Sequence, residues 1–208
     1  TYPVTLTVTD DDGSIDTITH VIIITDQAPG AAFDWLPDDP AEGEAAAFTD
    51  QSTSSPDTIV SWEWDFSGLG TSTDQHPSYI FEDDGTYPVT LTVTDNDGSN
   101  DSVTQDVTIS NIPPLVDAGA DQSVIADEIV TFNGSFTDPG TLDTHTIVWD
   151  FGDGATGSGT LTPTHIYENT GTYTVILTVT DDDGGQGRDT LVGTVVDSGN
   201  DPPGAHAG

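Results

Sequence analysis

Three stretches of the chain alternate apolar and polar residues with a period of two. Tyr2, Val4, Leu6 and Val8 alternate with Thr5, Thr7 and Thr9; Tyr87, Val89, Leu91 and Val93 repeat the pattern, as do Tyr173, Val175, Leu177 and Val179. That period is the mark of a β-strand with one face buried, and threonine keeps the outer face both strand-forming and tolerant of water. Each stretch ends in a clump of acid and a glycine: "VTLTVTDDDGS" at 4–14, "VTLTVTDNDGS" at 89–99 and "VILTVTDDDGG" at 175–185. No segment shows the 3.6-residue period of an amphipathic helix. Short strands parted by Gly, Pro, Asn and Asp clusters about every ten residues predict an all-β chain of antiparallel sandwiches.

The repetition sets the size of the unit. Trp64 and Trp149, each in a "WDF" string, are 85 residues apart, and Gly85 and Gly171, each opening "GTY", are 86 apart. A self-similar period of that length means tandem domains, each large enough for its own core. Between them lie polar, proline-bearing joints: "TDQAPGAAF" from Thr25, "SNIPPLVDAG" from Ser110 and "GNDPPGAHAG" from Gly199. Proline fixes φ and holds the preceding residue extended, so these joints are stiff and predict an elongated rod. The expected order is the closing half of one unit at 1–26, whole units at 27–111 and 112–197, and a linker opening a further unit at 198–208. A lone hairpin is marginal in water, so 1–26 needs a cover for its apolar face, from an adjacent copy or from more of a longer chain.

Charge narrows the partners. Of the 208 residues, 37 are Asp or Glu and only Arg188 is basic, a formal net charge of −36. Such a chain repels nucleic acid and anionic lipid, and it repels itself unless cations intervene. With no cysteine there are no disulfides and no thiol chemistry. With no lysine, Lys–Asn isopeptide crosslinks are impossible. No apolar run is long enough to span a bilayer, so direct membrane insertion is not expected, and the start carries no signal peptide, as in an internal excerpt.

"WDFGDG" at 149–154, followed by "PTHIYENTGTYTVILTVTDDDG" at 163–184, resembles the PKD (polycystic kidney disease) repeat, an immunoglobulin-like β-sandwich. The likeness covers essentially the whole chain. The middle unit departs from it in two places: "WDFSGLG" lacks the second Asp of the turn, and "PSYIF" puts Tyr79 where the last unit has His165. The resemblance implies tandem immunoglobulin-like sandwiches in an extracellular or cell-surface protein, and almost no enzymology, so function rests on sites.

The acid clumps are the candidate sites. Asp10, Asp11 and Asp12, then Asp95, Asn96 and Asp97, then Asp181, Asp182 and Asp183 each precede the glycine of an Asp-Gly hairpin. A turn alone does not call for three adjacent oxygen-bearing side chains, which repel one another unless a cation sits among them. Calcium, a hard ion taking 6–8 oxygens, suits them. The string is no EF-hand, lacking that loop's first Asp and closing Glu. In an immunoglobulin-like sandwich the acidic hairpin lies beside the loop after the second strand, at the end where the chain enters. That topology adds Asp138 and Asp143, with Asn111 from the joint, in the last unit, and Asp50 and Asp57, with Asp26 from the joint, in the middle one. The calcium sites are thus expected at domain junctions, with Asp150 and Asp153 at the opposite end. The competing reading is a set of solvated acidic loops in a salt-loving organism.

Other chemistry has less to stand on. His20, His76, His145, His165 and His206 share no ligand spacing, and His165 is expected to pack. No nucleophile elbow, zinc-protease motif or phosphate loop appears, so the chain is not expected to be an enzyme. Trp64 and Trp149 hold core positions, leaving Trp35 and Trp62 as candidates for a sugar platform. Asn100 ("NDS") and Asn133 ("NGS") are sequons. The reading is a structural extracellular stalk or fibre, rigidified by calcium and partnered by neighbouring copies or further repeats. The alternative is an accessory adhesion or spacer array that binds polysaccharide beside a larger protein.

Overall fold

A computed structural model describes residues 1–199; the greater part of the linker expected at 198–208, His206 included, lies outside the described residues. Every regular element among the described residues is a β-strand, eighteen in all. The chain packs into two compact units whose borders cut across the 27–111 repeat. The first holds Thr1–Asp34, Phe48–Pro77 and Pro88–Gln105; the second holds Trp35–Ala47, Ser78–Tyr87 and the chain from Asp106.

In the first unit, β1 (Tyr2–Thr9) and β2 (Ile15–Ile22) form the hairpin written in the opening alternation, with Thr5 opposite Thr19 and Leu6 opposite Ile18. The Thr5 and Thr19 hydroxyls share a hydrogen bond of 2.9 Å on the polar face. On the apolar face Tyr2, Val4, Leu6 and Val8 stay exposed, Leu6 to 61%. The strands of the 27–111 repeat, which the unit border crosses, are β3 (Phe33–Leu36), β4 (Ala45–Asp50), β5 (Ile59–Phe66), β6 (Thr71–Ser72), β7 (Ser78–Ile80), which lies in the second unit, β8 (Gly85–Asp95) and β9 (Asn100–Ile109). They hydrogen-bond in the orders β3-β4-β7 and β6-β5-β8-β9. Leu91 of β8, the counterpart of Leu6, is fully buried, with Trp64 of β5 opposite it in the ladder. Phe33 meets Trp64 edge-on at 5.1 Å and Phe48 packs on Phe66 at 5.3 Å. The same alternating strand is buried in β8, where β5 sets Trp64 opposite Leu91.

The second unit contains β10 (Leu115–Asp117), β11 (Gln122–Ile125), β12 (Ile129–Thr131), β13 (Ser135–Thr137), β14 (Thr146–Asp150), β15 (Thr156–Ser158), β16 (Thr164–Ile166), β17 (Gly171–Thr180) and β18 (Gln186–Val196). A five-stranded sheet runs β11-β18-β17-β14-β15, with β11 parallel to β18 and the rest antiparallel; β10 pairs with β13, and β12 with β16. The core gathers Phe132, Trp149, Phe151, Tyr167, Val175, Leu177 and Leu191. Trp149 stands opposite Leu177, and its indole N–H donates to the Thr160 carbonyl at 3.1 Å, as that of Trp64 does to Asp74 at 2.9 Å. The tryptophans thus hold the core positions expected of them. His165 stacks on Phe151 at 4.2 Å and meets Tyr167 edge-on, while Tyr79 meets Phe81 edge-on at 4.9 Å, so both residues at that place in the repeat pack.

The turn after each "WDF" tests the backbone. Gly152 has φ +81°, and a Cβ there would lie 2.5 Å from the Thr174 carbonyl oxygen; the corresponding Ser67 adopts φ +58° despite its side chain. A non-glycine residue in this region costs roughly 1–2 kcal/mol, whereas glycine costs about 0.5–1 kcal/mol in unfolded-chain entropy. Gly152→Ser should therefore lower stability by more than about 1 kcal/mol, and Ser67→Gly should raise it by less than about 1 kcal/mol. Urea midpoints at unchanged slope are the readout, and equal losses in both variants would contradict this account.

Candidate cation sites

The acidic hairpins are built alike, and each acid has a separate duty. The first closes the loop: the Asp10, Asp95 and Asp181 carboxylates accept from the backbone N–H of Ser14, Ser99 and Gly185 at 2.8, 2.9 and 2.6 Å. The glycines Gly13, Gly98 and Gly184 take φ of +88°, +99° and +93°, which lets the hairpin close. The middle residue ties the hairpin sideways: Asn96 Oδ1 accepts from Thr58 N–H at 3.0 Å and Asp182 Oδ1 from Thr144 N–H at 2.7 Å. Each bond brings the residue before that threonine, Asp57 or Asp143, up to the hairpin. Three acids in a row are thus partly explained without any ion.

In the first unit, Asp26, Asp57, Asp95 and Asp97 come together with ligand oxygens within 4.8 Å of one another. All four belong to the set expected from the sequence. Asp95 is only 2% exposed and its Oδ2 has no hydrogen-bond partner. The Ser99 hydroxyl donates to Asp26 and holds that carboxyl below its ordinary range. The Asp97 carboxyl is pushed up to about 6 by sharing a hydrogen bond with Asp95, then by burial and by Asp26.

In the second unit a larger patch joins three overlapping groups, each with ligand atoms within 4.8 Å: Glu42, Asp83 and Asp143; Asp143, Asp182 and Asp183; and Asp83, Asp84 and Asp183. A fourth, of Asp138, Asp143 and His145, shares Asp143. Glu42 is fully buried. Its Oε1 accepts from Ile112 N–H at 2.7 Å, and its Oε2 has no partner. Both Asp143 oxygens are likewise buried and without a partner. Burial pushes the Asp143 carboxyl up to about 6, reinforced by Glu42, Asp138, Asp83 and Asp183; burial also raises Glu42 and Asp183. Tyr87 secures the loop that carries two of these acids, its hydroxyl donating to the Asp83 and Asp84 carbonyls at 3.0 and 3.1 Å.

Several expected ligands stand elsewhere. Asp50 accepts from the Trp62 indole N–H at 2.7 Å and from Gln75 at 3.0 Å, so it anchors the Trp62 ring. Asp10, Asp11 and Asp12 join no cluster among the described residues. Asn111 donates to Asp181 Oδ2 at 3.2 Å, and Asp181 joins no cluster among the described residues. Asp150 accepts from Gly152 N–H and Asp153 pairs with His165 at 2.7 Å. Trp35 is partly buried, and Asn100 and Asn133 are exposed. Sequence reasoning missed Glu42, Asp83, Asp84 and His145. Asp83 and Asp84 carried a signal, since "EDDGTY" in the middle repeat answers to "ENTGTY" in the last. Glu42 carried none, lying in no repeated acidic string.

These donors fit a hard divalent cation: oxygens only in three of the second unit's four groups and in the first unit's cluster, on loops tied by backbone hydrogen bonds. Without a cation, their titration sets a pH dependence. Asp97 and Asp143 hold protons more tightly folded than unfolded, so their contribution to stability is full below about pH 4 and lost as pH rises through about 6. In chelator, the melting temperature should fall between pH 5 and pH 7. Asp143→Asn should flatten that fall, and an unchanged slope in this variant would contradict the assignment.

Residues 26–110 and 111–195 each match the family model described as PKD domain. The chain is 31% identical over 158 residues to the pre-pro-metalloprotease PrtV of Vibrio cholerae, covering 76% of this chain and 16% of that protein. It is 33% identical over 184 residues to the human dyslexia-associated protein KIAA0319, covering 78% and 17%. It is also 39% identical over 88 residues to collagenase ColA of Clostridium perfringens, covering 42% and 8%. The chain therefore spans less than a fifth of each of these curated relatives. Among solved structures, the PKD1 domain of the Vibrio cholerae metalloprotease PrtV is 35% identical, covering 41% of this chain and all of that one, with a TM-score of 0.37. No helix among the described residues is long and apolar enough to cross a membrane. With two matches in succession, on sheets whose tryptophans and tyrosines occupy equivalent places, the chain belongs to the PKD domain family.

Proposed function

We propose that this stretch is a non-catalytic spacer of tandem PKD domains in a secreted or cell-surface protein, and that calcium bound at its acidic clusters stiffens it. One observation carries the reading: Glu42, fully buried, presents an unpartnered oxygen toward Asp83 and Asp143. A buried carboxylate facing other carboxylates costs several kcal/mol unless a positive charge compensates it. The chain's single Arg or Lys is Arg188, and the group that holds Glu42 among the described residues is carboxylates alone. Calcium supplies that charge, and it tolerates the uneven, loop-borne oxygen set better than magnesium, which demands a near-ideal octahedron.

The location follows from the same chemistry. Extracellular calcium modules work at dissociation constants of about 10⁻⁴–10⁻³ M, so sites of that class fill where calcium is millimolar. In the second patch Glu42, Asp83 and Asp84 precede residue 111, while Asp143, Asp182 and Asp183 follow it. A bound ion would therefore link the two matched repeats through ligands of both. That is the property a stalk or spacer needs, and the extracellular stalk or fibre is the form of the reading we favour.

Thermal unfolding of the whole chain at fixed ionic strength tests it. Calcium at about 100 times its dissociation constant should add roughly 2.7 kcal/mol per site relative to chelator, with a smaller effect from magnesium. Glu42→Gln should reduce the calcium increment while raising stability in chelator, because it removes a buried charge. Equal increments from calcium, magnesium and sodium would mean plain screening and would overturn the reading.

A further inference from the structure

The two clusters share one arrangement of acidic hairpin and threonine-anchored loop, and at one place in that arrangement their chemistry differs. Asp57-Thr58-Ile59 and Asp143-Thr144-His145 occupy the same place in the repeat, each held by the threonine N–H bonded to the middle residue of the acidic hairpin. Where the first unit has the apolar Ile59, the second has an imidazole. His145 Nε2 lies 2.8 Å from Asp138 Oδ2, with the side chains 14% and 4% exposed. The ring rests on Phe136 at a centroid distance of 4.6 Å, and Asp138 is oriented by Gly140 N–H, which donates to Oδ1 at 3.1 Å and leaves Oδ2 for the imidazole. Gly140 also makes room for Asp143, since a Cβ there would lie 2.5 Å from its carboxylate.

Asp143 connects this corner to the rest of the patch. It belongs to the group with Asp138 and His145 and also to the group with Glu42 and Asp83, and both of its oxygens are buried without a partner. A carboxylate that belongs to both ligand sets and has two orphaned oxygens suits a bridge. The second ligand set is of another character. Imidazole nitrogen with two carboxylates is the donor mix of zinc-type ions, whereas calcium takes oxygen. The 2.8 Å between the nitrogen and the Asp138 oxygen is a hydrogen bond, and the pair would open to roughly 3.3 Å to share one tetrahedral ion once the proton between them is displaced.

We propose that Asp138, Asp143 and His145 form a second metal position, for a first-row transition ion of the zinc class, bridged through Asp143 to the cation position of Glu42 and Asp83. The bridge rests on the calcium reading above; the imidazole position does not. Phe136 acts as a positioning residue that fixes the ring plane.

Cobalt(II) titration of the whole chain, with calcium present and then absent, provides the test. Visible absorption reports nitrogen–oxygen ligation, and nitrogen-15 resonances of the imidazoles report which ring binds. The expected result is one cobalt per chain that zinc displaces, a shift of the His145 ring resonances, and at least a ten-fold loss of cobalt affinity in His145→Gln. The calcium increment in melting temperature should persist in that variant. Cobalt binding that leaves His145 unmoved, or is as tight in His145→Gln, would overturn the position. Cobalt that cancels the calcium increment one for one would overturn the bridged pair. A His145 signature without any calcium increment would support the imidazole position and overturn the calcium reading, and the bridge with it.

Discussion

A carboxylate pressed out of water against other carboxylates has three ways to persist: it keeps a proton, it accepts hydrogen bonds, or it shares a cation. The first two operate in this chain, and Glu42 stands where the third would serve. Asp181 and Asp26 accept hydrogen bonds, Asp97 and Asp143 hold protons well above the ordinary carboxylate range, and Glu42 presents an oxygen without a partner in a group of carboxylates alone. With a net charge of −36, the balance among these solutions governs how the loops pack, and the strands serve to bring the loops together.

The positioning is specific. Trp149 buried over Leu177 seats β14 on β17, and that pairing carries the loop before β14, with Asp143, to the hairpin after β17. The bond from Thr144 to Asp182 then fixes the approach. On the other flank, Tyr87 clamps the Asp83 and Asp84 carbonyls, so an aromatic of the strand pattern sets where two acids point. Core and site are thus one construction: the alternation that buries β8 and β17 also determines which oxygens meet.

Much of this was legible in the sequence because strand alternation and Asp-Gly hairpins are local signals. The "WDF" tryptophans and the sandwich class followed from period and topology, and four of the six candidates offered for the middle repeat, Asp26, Asp57, Asp95 and Asp97, lie within reach of one another. Asp50, expected with Asp57, instead accepts hydrogen bonds from Trp62 and Gln75, partners that no local pattern in the sequence announces. Glu42 was invisible for a like reason: its burial depends on Ser110 and Ile112, about seventy residues downstream, and no local pattern announces such a contact. The first Asp of each clump also does more local work than its charge suggested, closing its own hairpin.

The central claim is that buried carboxylate oxygens here are completed by calcium. Diffraction from crystals grown in calcium, collected at a wavelength where calcium scatters anomalously, measures that directly. The account predicts anomalous peaks among Asp26, Asp57, Asp95 and Asp97 and among Glu42, Asp83 and Asp143. Well-ordered density without such peaks, with those carboxylates hydrogen-bonded to one another or to water, would contradict it.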